Sequence, residues 1–274
     1  MTTIIIDTDL CTRCAICAQV CPMGIIDPAD ENRLPQVPGS KEFICITCGH
    51  CEVSCPSRAL TLNFRLDEPE RYVNCAPELT RDEMGYYLKK RRSVRHYAKK
   101  AVPKETIEAI LDIARYAPSG GNQQPVQWLV IHDPAEVHRL AGLVIDWMRH
   151  DATSASPVLP KQFTDSLVAA WEHGIDPICR GAPHLLVAHV PEGPGSGQID
   201  GIIALTYADC AAPAFGVGMC WAGFLSMAAG AYEPFKDALF LPAGRVFSYA
   251  LMFGYPQYKT FGIPRRKPVQ VTWR

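Results

Sequence analysis

The chain has 274 residues, 48% of them hydrophobic and 20% charged, with a formal net charge of -1. This length suggests about two domains, and no apolar run reaches the roughly 18 residues that a membrane span requires. Residues 1–74 carry six basic and ten acidic side chains, net -4; such a part is unsuited to nucleic acid and suited to a basic redox partner.

The first informative segment is a repeat. Cys11, Cys14, Cys17 and Cys21, followed by Pro22, recur 34 positions later as Cys45, Cys48, Cys51 and Cys55, followed by Pro56. Three thiolates two residues apart wrap one corner of an iron-sulfur cubane, and the fourth cysteine of such a run ligates the other cluster. Two [4Fe-4S] clusters are therefore expected, one held by Cys11, Cys14, Cys17 and Cys55, the other by Cys45, Cys48, Cys51 and Cys21. The proline after each run ends the turn and fixes the chain's exit. Zinc prefers two separated pairs rather than a triplet plus one. Disulfides need an oxidising compartment, whereas residues 1–10 hold Asp7 and Asp9 and lack the apolar stretch of a leader; a reducing, oxygen-poor cytoplasm is the expected location.

A strand is expected over 59–64, then a polar connector over 65–80 holding Pro69 and Pro77. The domain boundaries read from these features are 1–74 and 80–274. The second part is long enough to bury its own core. Pro103 stands where a first helical position is expected, and Ile107, Ile110, Leu111 and Ala114 recur at helical spacing until Pro118. Short apolar runs at 128–132, 185–190 and 246–253 have strand length. Between the last two lies 202–215, apolar without a clear polar face, which predicts a helix buried on all sides, within the domain or at a subunit interface.

Three segments of this part carry chemistry. RRSVRHY, residues 91–97, sits in a basic run with Lys89, Lys90, Lys99 and Lys100. APSGGNQQP, residues 117–125, follows directly after a helix, and GIPRRKP, residues 262–268, gathers Arg265, Arg266 and Lys267. Alone, each has a plain reading as a solvated helix end, a loop and a solvated tail. In this order, and with AFGVGMCWAGF at 214–224, they resemble the nitroreductase family of flavin enzymes over most of 81–268.

The resemblance implies an α+β chain: a bacterial-ferredoxin-like two-cluster domain, then a nitroreductase-like α/β domain with a central sheet flanked by helices, forming a homodimer. It also implies FMN. Arginine offers a planar fork matched to a phosphate dianion, so Arg91 and Ser93, with Arg266 and Lys267, are the expected phosphate ligands, and Arg92 is their neighbour. Arg95 stands where the family places a cation near the pyrimidine edge of the flavin. The loop with Pro118, Ser119, Gly120 and Asn122 corresponds to one that reaches the flavin from the partner subunit. Ala222 and Gly223 match the turn that faces flavin N5, where glycine lets a backbone N–H come close. Many relatives have an acidic residue in this turn, so Ala222 assigns its location and no side-chain role.

No Ser-His-Asp set, carboxylate pair or metal-binding histidine motif stands out. The segment 137–179 matches the family least and is expected to line the substrate pocket, with Trp147, Phe163, Trp171, His150 and His173 in it. Cys75, Cys179, Cys210 and Cys220 read as small packing residues, Cys220 being the one beside the flavin turn. Clusters pass electrons singly and flavins also in pairs. The expected activity is therefore electron transfer from a ferredoxin or flavodoxin through the clusters to FMN, reducing a small nitroaromatic, quinone or enone-like acceptor. Three alternatives remain open to the sequence: NAD(P)H oxidation with export through the clusters, an electron-transfer or redox-sensing protein without a substrate of its own, and a specialised halogenated or flavin-like acceptor.

Overall fold

The computed structural model describes residues 3–30, 33–63 and 78–274. The chain divides into two compact units, Met1–Glu78 with Gly121–Gln123, and Leu79–Gly120 with Gln124–Arg274. Phe64, the connector up to residue 77 and Cys75 lie outside the described residues.

In the first unit β1 (Thr3–Ile6) and β2 (Leu60–Asn63) pair antiparallel, with Ile6 opposite Leu60. β2 falls inside the expected 59–64 strand. β1 is a strand that the sequence reading did not anticipate, although its three isoleucines suit a pleated, half-buried surface. Two short helices, α1 (Ile16–Val20) and α2 (His50–Val53), sit at equivalent places in the two cysteine runs. Cys17, Cys51, Ile25, Ile26, Leu60 and Leu62 form the buried core. This core is small for a unit of its length.

The second unit begins with α3 (Arg81–Lys90). The Thr80 side chain accepts from the Glu83 N–H, and the Glu83 carboxylate accepts in return from the Thr80 N–H, a reciprocal cap. α4 (Lys104–Ala114) buries Ile107, Ile110 and Ala114. It starts one residue later than expected: Pro103 occupies the cap, with an extended ψ of 147°, and its carbonyl accepts from Thr106 and Ile107. β3 (Gln127–Ile131) leads into α5 (Pro134–Asp151), which opens with Asp133 capping the Ala135 N–H and a proline at its first turn. There follow α6 (Lys161–Glu172), β4 (His184–Pro191), α7 (Gly197–Ala211), β5 (Gly218–Trp221), α8 (Gly223–Ala231), α9 (Glu233–Ala238) and β6 (Arg245–Gly254).

Among the described residues the larger sheet has the order β3-β4-β6-β5 and is antiparallel throughout. Side chains alternate between its faces. Leu185 and Val187 of β4 and Ala250 and Met252 of β6 pack with α5, α8 and α9. Leu186, Ala188, Leu251 and Phe253 pack with α4 and α7. Helices on both faces explain why these strands read as continuous apolar runs.

Within the single chain α7 is buried on one side. Ala204, Leu205 and Ala208 face the sheet, but Ile199, Ile202 and Tyr207 are exposed, and the buried set includes Asp200 and Asp209. Mean apolarity hid a one-sided helix whose outer stripe is also apolar. Among the described residues no helix is long and apolar enough to cross a membrane.

Candidate functional site

In the first unit the two cysteine runs fold alike. Arg13 and Thr47, Ala15 and Gly49, and Gly24 and Arg58 are pairs 34 positions apart, and all six have φ between 50° and 77°. A non-glycine residue enters this region at a cost of about 1–3 kcal/mol. Its recurrence in both copies marks one loop shape used twice. One cavity is lined by Cys11, Cys14, Cys17 and Cys55, and another by Cys21, Cys45, Cys48 and Cys51. Each cavity takes three cysteines from one run and the fourth from the other.

Among the described residues no three Cys, His, Asp or Glu converge on a single-ion site. A cubane instead spreads four thiolates around an eight-atom core, which a cavity between them accommodates. Burial and the neighbouring Cys48 push the Cys51 thiol up to about 11, and burial raises Cys17. Burial acts upward on Cys55 too, but hydrogen bonds from Ser57, Ala59 and Leu60 outweigh it and the net shift is downward. Bound metal ionises such thiols outright.

In the second unit the 91–97 segment leaves α3 and runs beside β5. The Val94 N–H donates to the Met219 carbonyl at 3.0 Å, and the Tyr97 hydroxyl lies 2.6 Å from the Val94 carbonyl and 3.3 Å from that of Met252. Gly218 permits this approach, since a Cβ there would fall against the Val94 side chain. The Ala98 N–H donates to Tyr255 and the Gln257 N–H to His96, so the chain beyond β6 is tied to the same segment. That chain leads to residues 262–268.

The tie brings arginines from the two ends of the unit together. Arg92 Nε is buried without a partner, while a terminal nitrogen donates to the Lys89 carbonyl. Desolvation, followed by the Arg266 and Arg91 charges, holds the Arg92 guanidinium below its ordinary value. Converging cations with an unused donor suit a dianion such as phosphate. Arg91 is turned elsewhere: its Nη1 lies 3.2 Å from Asp209 Oδ2, which also accepts from Trp221 Nε1 at 3.2 Å. Burial raises the Asp209 carboxyl, although Arg91 and Trp221 act to lower it. Asp209 was not anticipated; a lone acid inside an apolar helix was the available signal, because carboxylates are seldom fully buried unless paired. Ser93 is half-buried, Arg95 is exposed with Nη1 3.4 Å from the Ser93 carbonyl, and Lys267 is exposed.

The 117–125 loop bonds to other groups. Ser119 Oγ accepts from the Gln124 N–H at 2.9 Å, and the Gly120 N–H donates to Asp200 Oδ1 at 3.1 Å; Ser196 donates to the other Asp200 oxygen at 2.8 Å. Pro118 precedes this turn and is exposed. Asn122 groups with the first unit, its amide donating to the Ile46 and Thr47 carbonyls at 3.1 Å each.

Ala222 caps α8, and its N–H donates to the Ala250 carbonyl at 3.0 Å. The open donors of this turn are those at the start of α8, beginning with Gly223. Trp221 stands edge-on to Tyr249, their rings 5.1 Å apart. In the 137–179 segment Trp147 is a core residue at 1% exposure, Trp171 stacks on His138, His150 lies beside Tyr232 and His173 Nδ1 bonds its own helix at Ala169. Phe163 meets α8, its ring 6.1 Å from that of Phe224. Cys179 and Cys220 are buried and Cys210 is half-buried.

Residues 10–60 match the 4Fe-4S dicluster domain, and residues 88–255 match the nitroreductase family. Fold and sites together thus define an oxidoreductase with a ferredoxin-type domain in the same chain. The chain belongs to the nitroreductase family. A 5,6-dimethylbenzimidazole synthase of Rhodospirillum rubrum is 28% identical over 189 residues, 65% of this chain and 83% of that protein. Iodotyrosine deiodinase 1 of Mus musculus is 34% identical over 74 residues; the match spans 27% of this chain and only 26% of the deiodinase. Among solved structures, a BluB-like flavoprotein of Clostridium difficile superposes with a TM-score of 0.54 at 20% identity, over 66% of this chain and 93% of that one. A nitroreductase with bound FMN from Desulfitobacterium hafniense gives 0.53 at 22% identity, over 68% and 95%. At these identities the likeness is one of fold.

Proposed function

We propose that the protein is an iron-sulfur flavoprotein that passes electrons between two [4Fe-4S] clusters and FMN to reduce a small acceptor. The carrying observation is the approach of Arg92 and Arg266, with the unused Arg92 Nε, in a nitroreductase-family domain. In this reading Arg92 and Arg266, with Ser93 and Lys267, hold the FMN phosphate. Arg91 orients the segment through Asp209, Arg95 stands by the pyrimidine edge, and the Gly223 N–H faces N5. Bound FMN supplies a centre that exchanges electrons singly with clusters and in pairs with an acceptor.

The two cysteine cavities support the crossed ligand sets. The outer stripe of α7 and the exposed Phe261 and Trp273 support a homodimer in which Pro118, Ser119 and Gly120 approach the partner's flavin. A ferredoxin or flavodoxin as the one-electron partner and a reducing cytoplasm complete the proposal. Anaerobic purification with iron, sulfide and flavin analysis, followed by single-turnover reduction, tests it. Clusters that bleach before the flavin with a one-electron donor support it. Flavin bleaching first with NADH or NADPH would reverse the direction, and normal reduction without turnover of nitroaromatics, quinones and enones would leave an electron carrier. Colourless protein, or zinc without flavin, would end it.

A further inference from the structure

The internal repeat allows the two cluster cavities to be compared position by position. Outside the cysteines, two lining positions change chemical character between the copies. Thr12 lines the Cys11, Cys14, Cys17, Cys55 cavity, and its equivalent 34 residues on, Ile46, lines the other. Ser57 lines the first cavity, and its equivalent 34 residues back, Met23, lines the second. One cavity therefore has two side-chain hydroxyls where the other has an isoleucine and a thioether.

The hydroxyl of Ser57 is also placed on a ligand. Its Oγ lies 3.7 Å from Cys55 Sγ, and the Ala59 N–H donates to the same sulfur at 3.3 Å. Cys55 is a thiol in this structure and stands for a cluster-bound thiolate, toward which the Ser57 hydroxyl becomes the donor. Adding an electron to a cluster increases its negative charge. Donors aimed at its sulfurs stabilise the reduced form and raise the potential, whereas apolar walls oppose the added charge.

We propose that the two clusters are inequivalent by construction: Ser57, assisted by Thr12, makes the Cys11, Cys14, Cys17, Cys55 cluster the more oxidising, and Met23 and Ile46 keep the other the more reducing. An electron entering the domain then rests at equilibrium on the first cluster, and the second is reduced only by a stronger donor.

This inference rests on the two-cluster reading, and the test separates the two. The full chain, purified and reconstituted anaerobically with iron and sulfide, is titrated potentiometrically and followed by electron paramagnetic resonance. Iron and sulfide sufficient for only one cluster would overturn the two-cluster reading itself. With both clusters present, the wild type should give two separated one-electron steps. Ser57→Ala should lower the upper step alone, up to a tenfold fall in its reduced-to-oxidised ratio at fixed potential, about 59 mV for a one-electron couple. Met23→Ser should raise the lower step alone, which keeps the test decisive should Ser57→Ala assemble poorly. Superposed steps in the wild type, a Ser57→Ala effect on the lower step, or no shift in either loaded variant would overturn the inference.

Discussion

Arg91 and Arg92 are neighbours in sequence with different tasks. Arg91 pairs with the buried Asp209, and its loss strands that carboxylate. Arg91→Ala should therefore destabilise the domain by about 3 kcal/mol, the low end for a broken buried pair because the Arg91 side chain keeps some exposure, seen as a fall in the thermal midpoint. Arg92→Ala should leave the midpoint nearly unchanged and weaken FMN binding roughly ten- to hundredfold, the worth of one charged hydrogen bond of about 1.5–3 kcal/mol, read by flavin fluorescence. An equal effect of both on FMN and neither on stability would contradict this division. Gly218→Ala should cost about 1–3 kcal/mol by overpacking against Val94, again in the thermal midpoint. The sequence singled out 91–95 and 265–267 as a basic cluster; which arginine has a free donor depends on Asp209, more than a hundred residues away.

At the scale of elements, the start of β4 is locked to the segment before α4 by two stacked histidines. His184 Nε2 accepts from the Val102 N–H at 2.9 Å, its Nδ1 bonds the His132 carbonyl at 2.8 Å, and the rings are 4.3 Å apart. The ring is neutral here, since Nε2 must accept. Burial lowers its pKa below the ordinary value, against the opposing hydrogen bond to the His132 carbonyl, and the charge of the adjacent His132 ring adds a smaller push downward. The unfolded chain thus binds this proton more readily, and the stability His184 contributes is present above about pH 6.5 and lost as the pH falls through its lower folded value. Denaturant midpoints between pH 7.5 and 5.5 should fall more steeply for the wild type than for His184→Gln. Identical slopes would remove His184 as the cause. The three apolar runs read as strands became β3, β4 and β6, because burial on both faces leaves a continuous signal. β1 and β5, four residues each, are too short to show a period.

For the whole molecule, the unpartnered apolar groups converge on one expectation. Ile199, Ile202 and Tyr207 project from α7 at helical spacing, with exposures of 65%, 37% and 39%. Sedimentation should find a dimer for the wild type, and Ile202→Glu should shift it toward monomer with loss of flavin. A monomeric, flavin-loaded wild type would remove the partner subunit from the site. This stripe also explains why residues 202–215 read as apolar on every side: α7 carries apolar side chains outward as well as toward the sheet.

What the linear chain determined by itself is its covalent chemistry and period: eight cysteines in two runs 34 apart, the basic segments, and the apolar runs that become the central strands. These are legible because cluster ligation and strand burial depend on spacing along the chain. Tertiary structure alone decided the rest. It turned Arg91 toward Asp209 and left Arg92 beside Arg266. It also placed Thr12 with Ser57 on one cavity and Ile46 with Met23 on the other. Such pairings join distant residues through packing and electrostatics, which local pattern does not encode.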